Sequence, residues 1–234
     1  MAPQLTAPAN PLIGRSREIE WVTASLRPGK AGLILGPKGV GKTALARTAH
    51  DLATAGGLRV AFTARPDDLS AALADLTSAL LLGETKNSCR ARLGRVLHSL
   101  RQEPPTFVLV DNADLVCRSF ARALKRMTLE TETGILLAAR TGPREDTSLL
   151  RGLVFAGSNE LHLRPLSHAF AEALARRHLR PHDIHLASEI ARSSGGIPAA
   201  VVEMARRSSD ARYRIGGAVS FTLILADLHI ENRV

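Results

Sequence analysis

The sequence is short of several things. It has two cysteines, Cys89 and Cys117, one tryptophan, one tyrosine, and 3% aromatic residues in all. The cysteines show no metal-ligand spacing and are too few for a disulfide framework, so both are expected as reduced thiols of a cytoplasmic protein. The scarcity of aromatics argues against a base-stacking platform for single-stranded nucleic acid. No apolar run approaches the ~20 residues of a membrane-spanning helix. The Pro/Ala-rich start, Met1 to Pro11, lacks the basic and apolar regions of a secretory signal and is expected to be disordered. The histidines have no ligand spacing, and no internal repeat is visible. Lysine is scarce too: Lys30, Lys38, Lys42, Lys86 and Lys125 are all there are, the other basic residues being arginines.

What is present is an ordinary globular composition, 45% hydrophobic and 23% charged, in a chain of 234 residues. That length holds one sizeable core, or a core and a small satellite. The formal charge of +9 and isoelectric point of about 10.7 are compatible with a nucleic-acid partner. The arginines run through an Ala- and Leu-rich chain, so a chain-wide compositional bias accounts for the charge equally well.

The chain is organised around Gly36-Pro37-Lys38-Gly39-Val40-Gly41-Lys42-Thr43, which reads G-x-x-x-x-G-K-T. An apolar run, Ala31 to Leu35, precedes it, and a helix-forming stretch with Leu45, Ala49 and Leu52 on one stripe follows. Strand, turn and helix in that order are what a phosphate cradle needs. Gly36, Gly39 and Gly41 free the backbone to wrap around anionic oxygens, and the helix start presents its N–H groups. Lys42 is expected to reach the β- and γ-phosphates and Thr43 to ligate Mg²⁺, with Val40 and Ala44 completing the nucleotide-binding segment.

Before the loop, Ser16 is the expected N-cap of a helix whose Ile19, Val22 and Leu26 face inward. After it, Leu58, Val60 and Phe62 alternate as a strand. A helix then opens at Pro66-Asp67-Asp68, carries Leu69, Leu73, Leu76 and Leu80 on one face, and closes at Gly83. Another spans Ser88 to Leu100, ended by Glu103-Pro104-Pro105. Thr106 to Val110 is a continuous buried strand ending in Asp111-Asn112-Ala113-Asp114. Downstream of a P-loop, such an acid is expected beside Thr43, holding Mg²⁺ directly or through water. The helix from Val116 to Glu130 turns Arg118, Arg122, Lys125 and Arg126 outward. A solvated basic face is the plainer reading; contact with DNA is the other. Gly134 to Ala139 is a strand ending in Arg140, at the sheet edge where ligands of α/β folds sit, so Arg140 either senses the γ-phosphate or forms a surface ion pair. Arg144 and Arg151 read as exposed arginines. Leu161 to Leu163 is a last strand. Helices are expected over Ser167 to His178, Asp183 to Ser193, and Pro198 to Arg207. In the tail, the run from Phe221 to Leu225 fits strand or helix.

In this order Leu12-Ile13-Gly14-Arg15, the P-loop, the Asp-ended and Arg-ended strands, Leu163-Arg164-Pro165-Leu166-Ser167 and Gly195-Gly196-Ile197-Pro198 resemble the AAA+ and STAND branch of P-loop ATPases. The origin-recognition, archaeal-ATPase and NB-ARC-like members look closest, over roughly Pro11 to Arg207. The resemblance implies an α/β P-loop NTPase fold: a parallel sheet of order 5-1-4-3-2 flanked by helices, with a small helical lid. The expected domains are residues 12–164 for the core, 165–207 for the lid and 208–234 for a tail of unassigned structure. It also implies that Leu12 and Ile13 pack on adenine with Arg15 nearby, that Pro198 closes over the base, and that Arg140 occupies the sensor 1 position. Two departures matter. Asn112 stands where the family usually has a water-activating Glu; Asp114 is a candidate substitute. Pro198 and Ala199 stand where many members carry a sensor 2 Arg. STAND members continue into a winged helix and repeats, here expected in another chain or absent.

The expectation is therefore an ATP- and Mg²⁺-binding, slowly hydrolysing switch or assembly factor that forms a homo-oligomer and meets a protein partner. A DNA-associated ATPase of loader or transposition-helper type, using Arg118, Arg122, Lys125 and Arg126, is the second reading. A non-hydrolysing nucleotide scaffold is the third.

Overall fold

The central strands of the sheet are short apolar runs buried on both faces, and parallel pairing puts the carboxyl ends of all five strands on one edge. In the computed structural model the described residues are 12–82, 88–102, 106–142, 148–154, 159–216 and 218–231. The expected positions Gly83, Lys86, Arg144 and the 103–105 break lie outside them. The chain divides into two units, Arg164–Val234 with the Gly39–Gly41 turn forming the second and the rest the first.

The first unit runs α1 (Ser16–Ser25), β1 (Ala31–Gly36), α2 (Lys42–Ala55), β2 (Arg59–Thr63), α3 (Leu69–Ala79), α4 (Cys89–Gln102), β3 (Thr106–Val110), α5 (Arg118–Glu130), β4 (Gly134–Arg140), α6 (Ser148–Val154) and β5 (Asn159–His162). The five strands pair in parallel in the order β5-β1-β4-β3-β2, the expected order. Parallel strands covered on both faces read as continuous apolar runs, and β3 is buried at every residue. Leu33, Leu35, Val108, Val110, Phe120, Leu124 and Leu137 belong to one core, all at most 1% exposed. Gly134 opens β4 because Phe107 lies against it; a Cβ there would fall 2.3 Å from the ring. Asp68 caps α3, its carboxylate accepting from Ser70 N–H at 2.8 Å, a contact that stabilises a helix by about 1 kcal/mol.

Some boundaries differ from expectation, and the helix expected over Asp183 to Ser193 is α-helical only from Ala187, its first residues forming part of a 3₁₀ segment. Ser16 is already helical and Arg15 takes the N-cap position without a side-chain cap, because Gly14 at φ +68° turns the chain one residue earlier. The edge strand β5 begins at Asn159, in register with Gly32, so its first two residues are polar and carry no hydropathy signal.

The second unit contains α7 (His168–His178), a 3₁₀ segment (Pro181–Leu186), α8 (Ala187–Ser193), α9 (Pro198–Ser208), the hairpin β6 (Arg214–Ile215) and β7 (Ala218–Val219), and α10 (Phe221–Glu231). The ambiguous tail run is thus a helix. It is not a free appendage: Tyr213 and Ile224 are buried in the same cluster as Ala171, Ala175, Ile190, Val201 and Met204. Gly196, at φ +74°, passes so close to Leu166 that a Cβ would sit 2.3 Å from its carbonyl oxygen, and Leu166 N–H donates to Gly196 O at 2.8 Å. A polar network lies beside the apolar cluster. Buried Arg207 donates to Glu203 at 2.6 Å and to Tyr213 Oη at 3.3 Å, while Tyr213 donates to Asp227 at 2.8 Å. Buried Asp183 accepts from Arg214 at 2.8 Å. Ala199 N–H donates to Gly39 O at 3.1 Å, so the second residue of α9 finds an acceptor for one of its orphan donors in the Gly39–Gly41 turn.

Candidate active site

The glycine-rich turn joins the end of β1 to the start of α2, with Gly39 at φ +78° and Gly41 at φ +103°, angles that side chains other than glycine rarely adopt. Gly36 and Val40 are buried, Val40 fully, whereas Thr43 and Ala44 are exposed at the head of α2. Lys42 Nζ donates to the carbonyls of Gly36 and Pro37, both at 2.8 Å. Thr43 Oγ1 donates to Asp111 Oδ2 at 2.7 Å, and Asp111 is only 4% exposed. A hydroxyl and a carboxylate held this close form a hard-oxygen pair of the kind that can hold Mg²⁺.

Three strand ends converge on the turn after β3. Asp111 N–H donates to Thr63 O at 2.9 Å. Asn112 sits in the left-handed region, φ 53° and ψ 35°, and its Nδ2 donates to Ala64 O at 3.3 Å. Asp114 Oδ1 accepts the backbone N–H of Arg140 at 2.8 Å. The Arg140 side chain is half-buried, and among the described residues its guanidinium has no ion-pair partner. Arg15 is buried and pairs with Glu18 at 2.7 Å, with Leu12 and Ile13 half-buried in the turn before it. Pro198 is the first residue of α9. Arg151 pairs with Glu160 at 3.1 Å, an exposed contact.

The profile of the family described as an AAA domain matches residues 26–162, more than half of the chain. The chain belongs to the AAA domain family. No curated protein matches it in sequence. Among solved structures, the AAA domain is similar to Cdc6p from Pyrobaculum aerophilum, at 16% identity and TM-score 0.68, covering 87% of this chain and 62% of that one. It is similar to the ORC1 protein of Aeropyrum pernix in complex with DNA, at 18% identity and TM-score 0.69, covering 96% and 67%. A third similar structure is the replication initiator DnaA bound to AMPPCP and single-stranded DNA, at 17% identity and TM-score 0.59, covering 98% and 69%. The chain thus spans about two thirds of the length of these proteins. Sheet order and family match agree on the P-loop fold of an AAA domain.

Two features of the AAA domain, a buried tie at the end of β2 and a groove beside the basic face of α5, go beyond what the sequence signalled. Asp75, midway along α3, accepts from Thr63 Oγ1 at 2.7 Å and pairs with Arg65, tying down the end of β2 beside the acidic turn. The helix α5 also borders a groove of about 490 Å³, with Arg118, Arg122 and Lys125 on one side and Leu149 and Leu153 of α6 on the other. Among the described residues none of these three cations has an ion-pair partner. Arg126 does not belong with them. It is bound to Glu130 at 2.7 Å, an i,i+4 pair whose hydrogen bond holds the Glu130 carboxyl below its usual range. Among the described residues no helix is long and apolar enough to cross a membrane, and no cluster of His, Cys, Asp and Glu could hold a further metal.

Proposed function

We propose that the AAA domain binds ATP with Mg²⁺ in the 36–43 loop, hydrolyses it slowly and works as a nucleotide-dependent switch or assembly factor. The observation that carries this reading is the 2.7 Å contact between Thr43 and Asp111 beneath a strand–turn–helix cradle. Those two oxygens fit Mg²⁺, which when bound neutralises charge on the β- and γ-phosphates. Lys42 exchanges its two loop carbonyls for phosphate oxygens, and the backbone N–H groups of the turn bind the rest of the anion. Arg140 meets the γ-phosphate. Asn112 can orient a water but cannot accept its proton. With Pro198 and Ala199 in place of an arginine, that favours low turnover and a role in which bound ATP or ADP sets the state. For Leu12, Ile13, Arg15 and Pro198 the adenine assignment rests on the resemblance. The similarity to a DnaA structure holding AMPPCP agrees with the nucleotide class.

Calorimetry on Lys42→Ala tests this. Loss of the charged contacts weakens ATP by about 10–100-fold; unchanged affinity overturns the reading. Single-turnover hydrolysis by the wild-type protein separates a slow ATPase from a scaffold, and mass photometry with ATP, ADP and no nucleotide reads the assembly.

A second reading, a DNA-associated ATPase, is favoured by the three cations of the α5 groove, which have no ion-pair partner among the described residues. Duplex binding would then fall steeply with salt, and neutralising Arg118, Arg122 and Lys125 would flatten the slope by about one per cation. No binding at low salt removes it.

A further inference from the structure

The turn after β3 carries three polar side chains, and each is committed to a different element. Asp111 accepts from Thr43 on α2, Asn112 donates to Ala64 beyond β2, and Asp114 accepts from Arg140 on β4. The last contact answers a backbone need. The β3–β4 pairing ends at Val110 opposite Leu137, so the three further residues of β4 have no strand on that side. Thr141 N–H donates across to Gly36 O on β1 at 3.1 Å. Donors alternate along a strand, so Arg140 N–H faces the side that β3 has left. A buried N–H without an acceptor is costly, and the Asp114 carboxylate stands where the next strand carbonyl would have been. Asn112 in the left-handed region and fully buried Ala113 turn the chain back to bring it there.

We propose that Asp114 is a positioning residue for Arg140: its carboxylate fixes the last residue of β4 so that the guanidinium departs from a defined point on the sheet edge to meet the γ-phosphate. This rests on the ATP reading above and replaces the role of proton acceptor for Asp114. Its Oδ1 serves a backbone donor, and water activation has no carboxylate in the turn dedicated to it. Through the same side chain the Asp111 position, which reaches Thr43, and the Arg140 position are fixed to one rigid turn. The magnesium-binding and γ-phosphate-sensing groups are thereby held in mutual register.

The test compares Asp114→Asn, Asp114→Ala, Arg140→Ala and the Asp114→Ala/Arg140→Ala double variant. An asparagine oxygen still accepts the Arg140 N–H but cannot serve as a base. Asp114→Asn therefore keeps kcat within about twofold of wild type, while Asp114→Ala, losing a hydrogen bond to a charged group, loses about tenfold. ADP affinity stays unchanged in both, and the double variant is no slower than Arg140→Ala. An inactive Asp114→Asn, or losses that multiply in the double variant, overturns the proposal. Hydrogen exchange at the Arg140 amide, measured without nucleotide, gives an independent reading. The amide is protected in wild type and Asp114→Asn and exchanges about tenfold faster in Asp114→Ala; equal protection in all three overturns the contact itself. Should the wild type fail to bind ATP, the ATP reading falls, while the exchange result still judges the link between Asp114 and Arg140. Asp114→Asn carries the decision if Asp114→Ala does not fold.

Discussion

The sheet unit and the helical unit keep their charges in different places. In the sheet unit the interior is mainly leucine, isoleucine, valine and phenylalanine, and the buried acid, Asp111, sits at the carboxyl edge and accepts from the Thr43 hydroxyl. In the helical unit much of the core is alanine, and the buried ions Asp183 and Arg207 lie beside it, tied to Arg214 and Glu203. Small side chains let helices approach closely but bury less area per residue, so more of the cohesion falls to directional contacts. A charge at the sheet edge is thus available to a ligand, whereas one between helices is used up by its neighbours. The difference separates candidate site residues from structural ones without reference to sequence motifs.

The comparison can be broken by mutation. Phe107→Ala opens a cavity in the sheet core and is expected to cost about 3–5 kcal/mol of stability by urea denaturation, the largest single effect anticipated here. A cost under about 1 kcal/mol would mean that the apolar strands do not hold this unit together. Asp183→Ala leaves Arg214 without its buried partner and His182, 3.3 Å from the other carboxylate oxygen, without a counter-charge. The expected loss is about 1.5–3 kcal/mol, appearing as faster hydrogen exchange in α8 and α9 with β1 and β3 unaffected. Uniform loosening of both units would erase the distinction.

The smallest effect concerns pH. Glu203 is pushed down from 4.5 to about 2 by its hydrogen bond to Arg206, with Arg207 adding to the shift. A carboxylate with a depressed folded-state value stabilises above its unfolded value, and that stability is lost as protons bind. The loss therefore falls between pH 4.5 and about 2. Half-exposed pairs are screened by solvent, so the effect is modest. Glu203→Gln is expected to flatten the acid limb of the helical unit's unfolding curve, and an unaltered limb would show that Glu203 is not the group responsible.

Much of the fold was legible because its signals are local. Three glycines in a fixed frame, an apolar run ending in Asp111 and another ending in Arg140 give the sheet and its expected ligand edge without any long-range information. Strand β5 was less legible because an edge strand needs only one well-packed neighbour and begins with polar Asn159 and Glu160. Helix α10 could not be distinguished from a strand because Phe221 to Leu225 is apolar at every position but one, which erases periodicity. Contacts between distant residues left no trace: Asp114 with Arg140, and Asp183 with Arg214, are separated by 26 and 31 positions. For α5 the charge pattern was readable, but Glu130, one turn beyond Arg126, separates that arginine from the cations that have no ion-pair partner among the described residues.

The folding-back of residues after Arg207 has a practical consequence for anyone trimming this protein. A cut at the end of α9 would look clean on a sequence plot, yet it would strip away Tyr213 and Ile224, pull the hydroxyl off Arg207, and take Arg214 from buried Asp183. A fragment shortened there would expose a sticky alanine-lined surface and a carboxylate without its arginine, so aggregation in such a preparation would report on the cut and not on the full chain.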